Sequence, residues 1–269
     1  MIQTQSIMDK NIKLNLVSGL PIKFENSLIY QPTIKTIIEN LGEDDFSNIL
    51  IPFAINTSII AEFEQVDKVK NFDLFFIQAD GLKMNNMNLL ELLIKGIKFL
   101  FKTSNVQLYR IGSNANIFSE DDSLIPKIII DNCTKIDRYN FDNLADIVLL
   151  MTHRERLKPE QQKESNVVVG MSEDAKARFA AFQEGKKEYE KKQQKNIEEK
   201  TSLANMAFAI ETAKAITLDY ENISVYKLIQ SYRAVLNLEA YNHKMNILSS
   251  GMVSGKDIDT THWTDLIKI

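Results

Sequence analysis

The chain has one cysteine, one tryptophan and three histidines among its 269 residues, and each scarcity removes a class of chemistry. A single thiol, Cys133, closes no internal disulfide, which fits a reducing compartment. It follows an apolar run, so it reads as a buried, inert thiol and not as a nucleophile. His153, His243 and His262 lack the i, i+4 spacing of a helical zinc motif, and one cysteine cannot complete a His/Cys set. Excess positive charge is also missing. The net charge is −4, so no global field draws the chain to nucleic acid or anionic lipid. The most apolar segment, "MNLLELLIKGIKFLF" (Met87 to Phe101), is shorter than the ~20 residues that span a bilayer. Glu91, Lys95 and Lys98 line one wet face of it. The opening residues carry no basic stretch followed by an apolar core, so no secretory signal is expected.

Catalytic and phosphate-binding signatures are equally sparse. "GMVSGKD" at 251–257 imitates a P-loop, but it has three residues between its glycines, Asp257 after the lysine, and a helix before it. The acids "GEDD" at 42–45 and "SEDD" at 119–122 are consecutive, whereas an oxygen cage needs ligands converging from spaced positions. The expectation is therefore no enzyme activity, no cofactor and no metal. Lysine-rich "GKKEYEKKQQK" (Gly185 to Lys195) has the charge to touch phosphates, but Glu188 and Glu190 interleave, and a solvated helix face is the better reading.

What is present is a sequence of fold devices. Ile12, Leu14 and Leu16 alternate with polar residues up to "SGLP" at 18–21, which predicts short strands around a turn. Pro32 suits the first turn of a helix, and Ile34, Ile37, Ile38 and Leu41 form its apolar face, with Gly42 as the stop. Glu43, Asp44 and Asp45 then enter a second helix, favoured by its N-terminal dipole, and Pro52 bends or ends it. Segments 63–79 and 87–102 predict helices. "NVQLYRIG" and "PKIIIDN" predict two strands. A helix capped by Asn140 follows, burying Leu144, Ile147, Val148 and Met151.

From His153 to Lys200 the composition turns to Lys, Glu and Gln, which reads as a flexible or weakly packed, partly helical connector in preference to a coiled coil. Apolar texture then returns. "LANMAFAIETAKAI" is an Ala-rich helix whose small side chains permit close approach to a partner. A long helix over about 224–249 carries Val225, Leu228, Ile229, Tyr232, Leu236 and Leu248. Thr261 caps a last turn presenting Trp263. The expected class is α+β: a mixed domain at 1–152 with short strands and several helices, a charged connector at 153–200, and an all-helical C-terminal unit at 201–269.

Three stretches resemble one family. They are "LVSGLPIKFENSLIYQPTIKTIIENLGEDDFSNIL", "IDRYNFDNLADIVL", and "ISVYKLIQSYRAVLNLEAYNHKMNILSSG" with its nearby "HW". In order and texture they are similar to tail assembly chaperones of long-tailed bacteriophages of Gram-positive hosts. The resemblance implies a non-enzymatic protein of the host cytoplasm. It would hold the tape-measure protein while the tail tube polymerises, and then leave. It also implies protein partners only, with no nucleic acid and no membrane, and it leaves homo-oligomers open. The alternative is a structural component of the tail or baseplate. Within the C-terminal unit, Tyr226, Tyr232, Tyr241 and Trp263 are the candidate partner-binding residues, since aromatics serve both as interface anchors and as core.

Overall fold

The computed structural model describes residues 11–57, 69–76, 83–84, 87–109, 125–156 and 202–250. Helices and small antiparallel sheets make an α+β fold with a helical C-terminal region. Residues 11–18 form a helix (α1), where alternation predicts strand. Ile12 and Leu16 are four apart as well as period-two matched, so a short run fits both templates, and packing decides. Leu16 is buried while Leu14 is 64% exposed. Gly19, at φ 75°, ends α1, and the carboxamide of Gln31 secures that end by donating to Asn15 O and Leu20 O, both at 2.8 Å.

A tight hairpin follows, β1 (Ile22–Phe24) with β2 (Ser27–Ile29). Helix α2 (Ile34–Asn40) is capped by Thr33, which exchanges hydrogen bonds with Thr36. Pro32 therefore lies before the cap and not inside the first turn. Gly42 (φ 81°) ends α2, its N–H donating to Ile37 O at 2.8 Å, and starts α3 (Glu43–Ala54). Pro52 sits within the last turn of α3, whose helix stops two residues later.

Segment 63–79 contains a 3₁₀ helix at Asn71–Phe76; residues 63–68 and 77–79 lie outside the described residues. A minimal strand pair, β3 (Lys83–Met84) and β4 (Met87–Asn88), leads into α4 (Leu89–Phe101), capped by Asn88 through Leu90 N and Glu91 N. The two predicted strands appear as β5 (Val106–Tyr109) and β6 (Lys127–Ile130). A third, β7 (Thr134–Ile136), pairs with β6 in the order β5-β6-β7. The turn at Asp131 and Asn132, both at positive φ, carries Cys133 to the surface. The expected buried thiol is thus exposed, because the apolar run ends at Ile130 and the chain reverses before Cys133.

Helix α5 (Phe141–Thr152) buries Leu144, Val148 and Met151, with Ile147 half-buried. Its cap residue Asn140 makes no side-chain cap bond. It ties the preceding turn instead, accepting from Asp137 N and donating to Lys135 O. Phe141 meets Phe53, Phe72 and Phe75 with centroids 5.4–6.2 Å apart, forming the aromatic centre of the core. Beside it, Arg138 donates to the buried Asp73 at 2.6 Å.

The C-terminal helices α6 (Leu203–Lys214) and α7 (Val225–Ser249) pack into the same hydrophobic cluster, through Ala207, Ile210, Val225, Tyr226, Leu228 and Val235. Their attachment is backbone-made. Ile34 N donates to Ile223 O at 3.3 Å, Lys35 N to Tyr220 O at 3.0 Å, and Val225 N to Pro32 O at 2.9 Å. The first turns of α2 and α7 thus satisfy amides that no helix can satisfy internally. Glu43 adds a further cap: Leu203 N, at the start of α6, donates to its Oε1 at 2.6 Å. The Lys35–Glu221 pair at the same seam is exposed and contributes little. Among the described residues no helix is long and apolar enough to cross a membrane.

Gly96 sets the approach of α3 and α4. A Cβ there would meet Ile49 O and Phe53 Cε2, each at 2.9 Å. Alanine gains roughly 1 kcal/mol of helix propensity, but the clash with fixed backbone outweighs it. Gly96→Ala is expected to destabilise the fold by about 1–3 kcal/mol in urea titration.

Candidate partner-binding surface

The outer half of α7 carries an apolar row in which no residue is fully buried. At 1.5 Å per residue the helix is roughly 37 Å long, yet no residue beyond Val235 is buried. Ala234, Leu238, Tyr241, Met245 and Leu248 nevertheless recur at spacings of four and three, the pattern of a helix-pairing seam. Leu238 is 37% and Met245 40% exposed, whereas Ala234, Tyr241 and Leu248 are half-buried. Of its flanking positions Asn237, Asn242 and Ser249 are uncharged and Lys244 carries the one charge.

A second apolar feature lies between α2 and α6. Ala204 and Ala207 floor a cleft of about 320 Å³, flanked by Ile38 and Phe208. Both flanking side chains are about 70% exposed. The Ala-rich helix presents small side chains there, as its composition predicts. Glu211 fixes the adjoining loop by accepting from Leu218 N and the Tyr220 hydroxyl, which sets Tyr220 O against α2.

The four candidate residues fall in different places. Tyr226 is buried, 2% exposed, and stacks on His153 with ring centroids 4.6 Å apart. It works in the interior and is not available as a surface anchor. Tyr232 is half-buried in the cleft between α3 and α7, together with His153, Arg154 and Arg233. Tyr241 lies on the seam. Trp263 and Thr261 lie outside the described residues, as do 157–200 of the connector, with its lysine-rich stretch, and the "SEDD" and "GMVSGKD" segments. Among the described residues no group of three or more His, Cys, Asp or Glu side chains could hold a metal ion.

His153 joins the two units and was not singled out by sequence reasoning beyond its lack of metal spacing. Its backbone is the left-handed C-cap of α5, while its ring rests on Tyr226 of α7. Arg233 Nη1 approaches Nδ1 at 3.3 Å; a guanidinium only donates, so Nδ1 accepts and the neutral ring carries its proton on Nε2. The Gln230 carboxamide lies 3.3 Å from Nε2 and receives that proton when its oxygen faces the ring. Burial, reinforced by the Arg233 charge, lowers the His153 pKa to about 4.

The unfolded chain takes up this proton near pH 6.5 and the folded one only near pH 4, so stability is full above 6.5 and falls as pH drops towards 4. His153→Phe keeps the stacking and removes the titration. Its melting temperature is expected to lose less than that of the parent between pH 6.5 and 4.5, measured by circular dichroism in parallel.

Residues 191–268 match the family model described as the YomV second domain. The matched stretch contains α6 and α7, and so the seam. No curated protein and no solved structure matches the chain. The matched domain is of a Bacillus phage type, which suggests a phage protein.

Proposed function

We propose that the protein is a non-enzymatic tail assembly chaperone that holds the tape-measure protein in the host cytoplasm while the tail is built. The observation that carries this reading is the partly exposed 3-4 row on α7, with Leu238 and Met245 open to solvent, inside the stretch that matches the phage-type domain. The exposed Leu238 and Met245, one heptad apart, accept the apolar stripe of an amphipathic helix. The seam covers only about two heptads, so each contact is weak. Weak contacts suit a holder that must later be displaced, and many copies along one long partner restore affinity through multivalency. The alanine-floored cleft, with Ile38 and Phe208 at its rim, gives a second apolar foothold.

The test is co-expression of the tagged full chain with the tape-measure protein of the same genome, followed by capture and by mass spectrometry of finished particles. Capture with the chain missing from particles is expected. Leu238→Asp combined with Met245→Asp should abolish capture while lowering stability by no more than about 1 kcal/mol, because both sites are surface positions of α7. Persistence of the chain in particles at fixed stoichiometry would make it a tail or baseplate component instead.

A further inference from the structure

We infer that the groove between α2–α3 and α4 is a second docking site, built for an acidic amphipathic helix of a partner protein. It has a volume of about 1050 Å³ and lies away from the α7 seam. Tyr30, Leu41, Leu92 and Phe99 line it and are half-buried, so apolar surface remains open inside it. Helices α2 and α3 form one wall and α4 the other, and a further helix fills such a trough by setting its ridges between theirs.

Charge selects the occupant. Lys95, Lys98 and Lys102 stand at i, i+3 and i+7 on one rim, all exposed, spanning roughly 10 Å along the helix axis. Among the described residues none of the three forms an ion pair. Lys102 rests over the Tyr30 ring, 4.7 Å from its centroid, which holds its charge at the end of the trough. The acids that line the groove are Asp45 on the α3 wall and Glu91, one turn before Lys95. The α4 rim therefore reads acid, base, base, base. An occupying helix matches it with carboxylates at i, i+3 or i+4, and i+7 beside its apolar stripe, over the two turns that face the lysines. The whole chain carries a net charge of −4, so an acidic helix is attracted by this rim and not by the molecule at large.

This inference does not depend on the tail-assembly reading, and its experiment needs no phage component. The probe is a fluorescein-labelled synthetic helix of about 18 residues, long enough to hold helical structure, with a leucine stripe flanked by glutamates. A matched peptide carries lysine at each glutamate position. Anisotropy titrations use the full chain, at roughly 50 and 300 mM salt to bracket screening. The glutamate peptide is expected to bind at least about tenfold tighter than the lysine peptide, and to weaken with salt. Lys95→Glu with Lys98→Glu should reduce that affinity about tenfold or more while lowering the thermal melt only slightly, since both side chains are in solvent and the new carboxylates meet only Glu91 and the C-terminal end of the helix dipole. Leu238→Asp with Met245→Asp should leave it unchanged, which separates this groove from the α7 seam. Equal binding of the two peptides, or binding indifferent to the lysine reversals, overturns the inference. So does self-association abolished by the same reversals, which makes the occupant a second copy. Tighter binding of a single-stranded RNA than of the glutamate peptide, lost on reversal, assigns the rim to nucleic acid and overturns it as well.

Discussion

Helix N-termini carry amides with no partner of their own, and the fold turns on how two of them are satisfied. The first turns of α2 and α7 meet head to head, each donating to a carbonyl just before the other. Ile34 and Lys35 donate to Ile223 and Tyr220, and Val225 donates to Pro32. A proline has no amide hydrogen, yet its carbonyl is free to accept, so Pro32 serves the joint through its oxygen. Breaking the joint would strand buried polar groups on both sides, at a cost of about 1–3 kcal/mol for each. The apolar side chains around it, Ile34, Val225 and Leu228, then close a single core over both parts of the chain.

The C-terminal unit is consequently a continuation of the first domain for its inner half, while the outer half of α7 has no fully buried residue. Val235 marks the division. Before it, α7 is anchored by the amide exchange, by Tyr226 on His153, and by Leu228 in the core. After it, the helix offers apolar residues to solvent at pairing spacing. The groove beside α4 carries a lysine row, whereas the apolar row of α7 is flanked by the single base Lys244, so under the two proposals the surfaces would select partners by different physics.

Much of this was legible in the residues, because long periodic segments signal themselves. The helices at α2, α3, α4, α5 and α7, and strands β5 and β6, all follow from apolar spacing and caps. Short elements were legible only in part: short strands are expected in the stretch that holds β1 and β2, but not their bounds. Residues 11–18 satisfy helix and strand periods alike, and three-residue β7 has too little sequence to declare itself. Long-range roles were hidden for a different reason. Glu43 read correctly as an acid entering its own helix, but nothing local reveals that its carboxylate also caps α6. Tyr226, Tyr232 and Tyr241 share one helix and one residue type, and only packing separates the interior ring from the half-buried ones. The lysine row of α4 was visible as a wet stripe. That it borders a trough required knowing where α2 and α3 lie.

The head-to-head joint also imposes an order in time. Pro32 is synthesised early and Val225 late, and at ~5–20 residues per second the interval between them is on the order of 10–40 s. Throughout it α2 has its capping threonine but not the carbonyls that complete its first turn, and Ile34 has no cover from the far end of the chain. The nascent N-terminal part therefore waits on the ribosome with an unfinished helix start, and the last third of the polypeptide acts as its own delayed clasp.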